Sequence, residues 1–222
     1  MSSQRFPGKM LYRVNDKTLL EYVLDRVQHA KTIDNIIVAT SVDPSDDAIV
    51  NYCRENEVQF YRGSLNNVAS RFFSVLSSNP CEAFVRICGD RPLLDQNLID
   101  MAVNFFLEDT YDIITNVFPP SFPAGQTVEI INSDIFKQYF QFFSSEADIE
   151  HVTKFFYDNS QVFSIKNIIS SRDNSAIHFA IDTKKDMEVF REIVETFKKP
   201  HWEYSLPEIL DIYQKIRDME SI

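Results

Sequence analysis

Three stretches of the chain hold side chains suited to chemistry on a phosphate. In GDRPLLD (89–95) an aspartate follows an apolar run, AFVRIC, directly. A strand over 83–90 would put Asp90 at its carboxyl end, with Gly89 letting a ligand approach the backbone and Pro92 stopping the strand. A carboxylate so placed suits a hard cation such as Mg²⁺, which keeps waters and takes one or two protein carboxylates plus phosphate oxygens. It also suits a plain turn cap. FAIDTKKD (179–186) repeats the arrangement, with Asp182 between an apolar run and a helix start, where an aspartate is also a common cap. Two strand-end aspartates could share one metal site. SSQRFPGK (2–9) gathers Ser2, Ser3, Arg5 and Lys9 around a Pro-Gly turn. Its spacing is not that of a GxxxxGK[ST] phosphate loop. Backbone amides and two cations still cradle phosphates well, and a solvated polar tail is the alternative.

Other patterns point to structure. Glu150 and Lys154 have the spacing of an i,i+4 pair on a helix, and His151 beside them reads as a structural histidine or a substrate contact. No Cys/His cluster has zinc spacing, and no GxSxG nucleophile elbow occurs. The nineteen Phe and nine Tyr fall largely at helical spacing, which fits core packing.

Strands and helices must alternate to hold these groups. Leu19, Leu20, Val23, Leu24 and Val27 predict a helix after Asp16 or Thr18 as cap. Strands are predicted over 35–41, 59–63, 83–90, 111–117, 126–132, 162–168 and 176–181. Helices are predicted over 43–56, 67–78, 95–109 (capped by Asp95), 133–143, 147–159, 183–199 and 205–219. Such alternation argues an α/β fold with a mostly parallel sheet. The proline-rich loop 118–125 is the only plausible seam. Helix-borne apolar residues around 133–168 fit a homodimer surface and fit core packing equally well.

Composition narrows the partners. A net charge of −11 argues against a broad nucleic-acid surface, yet an acidic protein can hold a nucleotide where a few cations and a metal neutralise it locally. No apolar run is long enough to span a membrane. Three scattered cysteines without a CxxC pair suggest reduced thiols and a cytoplasmic setting.

In chain order, MSSQRFPGK (1–9), VATS (38–41), GSLNNVASR (63–71), RICGDRP (86–92), FPAGQTVE (122–129), EHVT (150–153) and IDTKKD (181–186) resemble the motifs of the cytidylyltransferase family. That family includes spore-coat polysaccharide-type proteins, acylneuraminate cytidylyltransferases and octulosonate cytidylyltransferases, and the spore-coat branch is the nearest in pattern. The resemblance implies a three-layer, Rossmann-like nucleotide-diphospho-sugar transferase fold with a mostly parallel mixed sheet, in a single domain over 1–222. Its nucleotide part would span about 1–117, and a sugar-side and dimerisation part about 118–175. The implied reaction is CTP plus a sugar, acidic or modified and destined for surface polysaccharide, giving CMP-sugar and pyrophosphate with Mg²⁺ as cofactor. By motif match Lys9, Arg5 and Asp90 would be catalytic. Ser2, Ser3, Arg5 and Lys9 would hold the triphosphate, and Arg71 would read the base with Thr40 and Ser41 nearby. Asp90 and Asp182 would hold the metal, and Glu129, Glu150 and His151 would lie on the sugar side.

The sequence departs from the family pattern in three places. The family carries an apolar strand and an Ala-Arg pair before the methionine that matches Met1, so the resemblance implies a sheet lacking that strand, or a start displaced by one strand. His178 stands where arginine is frequent, and Arg91 where a small residue is frequent. These departures keep two alternatives open: nucleotidyl transfer with another base or acceptor, and a non-catalytic interaction protein.

Overall fold

Local signals set most of the elements. A computed structural model describes residues 5–220, so Ser2 and Ser3 lie outside the described residues. A small antiparallel hairpin, β1 (Arg13–Val14) and β2 (Lys17–Thr18), comes first. Asn15, at φ 51°, supplies its reversal. Asp16 therefore belongs to this turn and does not cap the next helix. Thr18 does: its side chain accepts from the Glu21 amide while Glu21 reaches back to Thr18, a capping box that starts α1 (Leu19–Gln28).

The alternating body follows as β3 (Ile37–Ser41), α2 (Asp47–Glu55), β4 (Gln59–Gly63), α3 (Val68–Ser78), β5 (Ala83–Arg86), α4 (Gln96–Glu108) and β6 (Ile113–Thr115). Asp95 caps α4 as the sequence predicts. After the proline-rich loop come β7 (Glu129–Asn132), α5 (Ser133–Tyr139), α6 (Glu146–His151), α7 (Lys154–Asp158), β8 (Ile165–Asn167), α8 (Lys184–Glu195) and α9 (Leu206–Glu220).

β3 and β4 pair in parallel, while β5, β7, β6 and β8 form a four-stranded sheet in that order. Within it β7 alone runs opposite to the other three. The fold is thus α/β with a mixed sheet whose strands are mostly parallel. Among the described residues, β3 pairs only with β4 and β5 only with β7.

Strand alternation sorts the core onto two faces. The paired Ile114 and Ile130 join the cluster built with α1, α4, α8 and α9. Ile113 and Ile131 join the aromatic cluster of Phe136, Val152, Phe156 and Phe163. Helices thus cover both faces, giving three layers.

Three differences from the expected elements bear on the site. The strand expected over 83–90 ends at Arg86, leaving Asp90 in the loop beyond it. The segment 176–181 is not a strand; it makes a lone bridge from His178 to Ala124. The single helix expected over 147–159 is broken into α6 and α7 at Val152, which sits at φ 55°, ψ −49°. There the Thr153 amide donates to the His151 carbonyl in a γ-turn, a strained geometry worth about 1–3 kcal/mol. The Val152 side chain is fully buried in the aromatic cluster, and that packing holds the break.

The first helix is tied to the end of the chain by one buried cation. Arg26 is fully buried and donates to the carbonyls of Leu94 (3.2 Å), Tyr204 (3.1 Å) and His201 (2.6 Å). Burial pulls its pKa down to about 10, with Asp95 opposing. Replacing it by methionine takes a charged donor from all three carbonyls, of which that of His201 keeps a second donor, the Tyr204 amide, so Arg26→Met is expected to lower stability by about 3 kcal/mol, measured by urea unfolding against wild type.

Candidate functional site

The opening segment is anchored. Phe6 is buried in the main core and meets Tyr12 edge-on. Between them Pro7 and Gly8 make a tight turn: Gly8 sits at φ 76°, ψ 4°, and the Lys9 amide donates to the Phe6 carbonyl. This is a type II pattern, which needs glycine at its third position. Residues 5–12 are therefore no solvated tail.

The turn aims Lys9 between the two aspartates. Its ammonium lies 2.8 Å from Asp90 Oδ2, 3.8 Å from Asp182 Oδ1 and 2.6 Å from the Ile181 carbonyl. Arg5 reaches the same Asp182 Oδ1 at 2.8 Å, and His178 Nε2 stands 3.6 Å from Asp182 Oδ2. The Ile181 amide donates to the Asp90 carbonyl at 2.9 Å, so the main chain also holds the two loops together. Asp182 is spared as a cap because Thr183 and Asp186 form the capping box of α8. Gly125 lets the 122–125 loop lie against the 179–180 backbone: a β-carbon on it would come within 2.7 Å of the Ala180 nitrogen, at a φ of 99°.

A second polar group forms along the sheet. Register places Arg86, Glu129, Thr115 and Asn167 in one row across β5, β7, β6 and β8. They stand at the carboxyl ends of the parallel strands, the edge where open α/β sheets bind ligands. Arg86 donates to Glu129 Oε2 at 2.5 Å, and the Tyr157 hydroxyl donates to Glu129 Oε1 at 2.7 Å while lying 2.8 Å from Thr115 Oγ1. Glu129 is 3% exposed and Arg86 15%. Burial and the neighbouring Glu129 push the Tyr157 phenol far above its usual range. Burial works against the Arg86 charge, but Cys88 and Glu129 more than offset it and raise its pKa. Phe118 stacks on Tyr157 with ring centres 4.9 Å apart.

The remaining predicted residues fall as follows. The hydroxyls of Thr40 and Ser41 are buried and both donate to Asp46 Oδ2, at 2.9 and 2.6 Å. Arg71 donates to the carbonyl of Ala39 in β3 at 3.3 Å, its pKa lowered by burial, with Asp46 opposing. Glu150 and His151 are exposed at the end of α6, which packs on α3. Lys154 does not pair with Glu150; it holds Asp158 instead, at 2.6 Å, because the break at Val152 puts residues 150 and 154 on different helices. Arg91 donates to the Thr127 carbonyl at 3.0 Å.

The sequence reading passes over Arg86 and Tyr157. Arg86 had a visible signal, a charge ending an apolar strand just before the Gly-Asp pair. Tyr157 had none, because only the register and the α6–α7 break bring it to Glu129. A surface hollow of about 520 Å³ lined by Lys31, Thr32, Asn97, Asp100 and Phe105 lies elsewhere. Asp100 there is already bonded to the Thr32 hydroxyl at 2.8 Å, and the convergent charges are at Lys9.

Residues 1–221 match the family described as cytidylyltransferase. The chain belongs to the cytidylyltransferase family. It is 30% identical over 197 residues to an uncharacterised protein of Methanocaldococcus jannaschii, covering 88% of this chain and 80% of that protein. It is 26% identical over 204 residues to the spore coat polysaccharide biosynthesis protein SpsF of Bacillus subtilis, covering 88% and 83%. A solved cytidylyltransferase structure from Leptospira borgpetersenii superposes with a TM-score of 0.90 at 27% identity, covering all of this chain and 92% of that one. A CMP:2-keto-3-deoxy-manno-octonic acid synthetase complexed with CTP superposes at 0.66 with 13% identity, covering 87% and 94%, a likeness of fold.

The donor set also bears on a metal. Among the described residues no group of three or more His, Cys, Asp or Glu side chains could hold an ion. The carboxylates of Asp90 and Asp182 are hard oxygen donors. Such a pair fits Mg²⁺, which keeps waters and accepts substrate phosphates in place of an all-protein cage.

Glu129→Ala leaves the buried Arg86 without its partner and is expected to destabilise the fold by about 3 kcal/mol. Tyr157→Phe, which removes one hydrogen bond, is expected to cost about 1 kcal/mol. Chemical denaturation of the two variants beside wild type checks the ranking.

Proposed function

We propose that this cytidylyltransferase transfers CMP from CTP to a hydroxyl of a sugar, releasing pyrophosphate, and that the sugar is acidic or modified and serves surface polysaccharide synthesis. The observation that carries the reading is the convergence of Lys9 and Arg5 on Asp90 and Asp182 at one point of the fold. A triphosphate needs cations, and a metal needs carboxylates; the two sets meet there. The sugar side of the reading draws support from the likeness to the Bacillus subtilis spore coat polysaccharide biosynthesis protein.

In this reading the sugar hydroxyl oxygen bonds to the α-phosphorus as the bond to pyrophosphate breaks, and the hydroxyl proton is released. Little covalent work falls to the protein, so positioning and charge neutralisation carry the rate. Mg²⁺ bound by Asp90 and Asp182 would supply charge neutralisation on the phosphates. Lys9, a point charge on a flexible stem, and Arg5, a planar fork, would hold phosphate oxygens. Arg71, bonded to the Ala39 carbonyl of β3, would read the base beside Thr40 and Ser41. The row of Arg86, Glu129 and Tyr157 would wall the acceptor, and Glu150 and His151 at the end of α6 would flank it.

Calorimetry with CTP, UTP, ATP and GTP in Mg²⁺ tests the base, and CTP is expected to bind in preference. Absence of nucleotide binding would favour a non-catalytic role. Asp90→Asn is expected to slow turnover about a hundredfold, about 3 kcal/mol of transition-state stabilisation. Turnover near wild type in that variant excludes Asp90 from the metal site.

A further inference from the structure

Resting on the cytidyl-transfer reading, we infer that Lys9 couples the metal and nucleotide sites: its ammonium stands in the seat of a divalent cation, and a triphosphate that draws it away lets both aspartates coordinate metal more tightly. Lys9 is a positioning residue in this role. Its ammonium touches Asp90 Oδ2 at 2.8 Å and lies 3.8 Å from Asp182 Oδ1, so one positive charge already serves both carboxylates. The Ile181 carbonyl takes another of its three protons at 2.6 Å, and the side chain is only 11% exposed. Asp182 Oδ1 is shared further with Arg5.

A magnesium ion sits about 2.0–2.1 Å from its oxygens. On Asp90 Oδ2 it would face an ammonium bound to the same atom, and like charges so close in a half-buried setting repel strongly. Lysine can leave where arginine would not, because its charge is compact and rides on four rotatable carbons. A triphosphate offers Lys9 more negative charge than either aspartate. Moving the ammonium to phosphate frees Asp90 for metal, and by reciprocity metal on Asp90 frees Lys9 for phosphate. The coupling therefore goes beyond the metal that CTP itself carries.

The test uses Mn²⁺ alone, with free ion counted by electron paramagnetic resonance. Lys9→Met is expected to bind Mn²⁺ at least about tenfold more tightly than wild type, the gain coming from the removed repulsion. Lys9→Arg is expected to bind Mn²⁺ no more tightly than wild type, because the guanidinium leaves the carboxylate less readily, and adding Asp90→Asn to Lys9→Met is expected to abolish the gain. Equal or weaker Mn²⁺ binding by Lys9→Met overturns the inference. Should that variant fail to fold, acetylation of Lys9 in the wild-type protein, followed by peptide mapping, decides. Saturating Mn²⁺ is expected to speed it, and an unchanged or slower rate overturns the coupling. CTP binding to wild type, measured separately, keeps the two readings apart. Loss of CTP binding sinks the cytidyl-transfer reading. CTP binding with unchanged Mn²⁺ affinity in Lys9→Met sinks only the coupling.

Discussion

Two ionised carboxylates brought to one corner of a protein repel each other unless a cation sits with them. Here that cation is Lys9, held against Asp90, Asp182 and the Ile181 carbonyl. Much of the local structure serves this contact. Phe6 anchors the opening segment in the core, and the left-handed Gly8 turns it so that Lys9 points inward. Thr183 and Asp186 cap α8 between themselves and leave the Asp182 carboxylate outside the cap. Gly125 removes the side chain that would push the 179–180 backbone away.

The sheet adds a second polar group with a different character. The Lys9 cluster is built from loops, and its two aspartates are about a quarter exposed, at 27% and 28%. The row of Arg86, Glu129 and Thr115 is built from strands, and both Glu129 oxygens are occupied. A carboxylate satisfied in this way has little left to offer a ligand directly, so its effect is to hold Arg86 and Tyr157 in fixed directions. One group is equipped for charge that comes and goes, the other for shape.

The sequence revealed those parts whose causes are local. Thr18 and Asp95 announce their helices because a hydroxyl or carboxylate before an amphipathic run satisfies free amides. Asp90, Asp182 and Lys9 were legible because acids after apolar runs and a Pro-Gly-Lys turn are short-range patterns. The break at Val152 was not legible: EHVTKFFYD carries no glycine or proline, and only burial of the valine among Phe136 and Phe156 enforces it. The segment 176–181 has a strand's composition, but its amides are spent elsewhere, Phe179 on the Ala124 carbonyl and Ile181 on that of Asp90. The Arg86–Glu129–Tyr157 contacts depend on register and on that same break, which no spacing in the chain displays.

Arg26 has a further consequence, for the order in which the chain can mature. Its carbonyl partners are contributed by residue 94 and by residues 201 and 204, so the first helix cannot complete its burial during synthesis until nearly the whole polypeptide has emerged. Contacts of such long sequence separation delay folding, since loop closure comes before its reward. The burial of Arg26 thus ties the first helix to the last stretch of the polypeptide to be made.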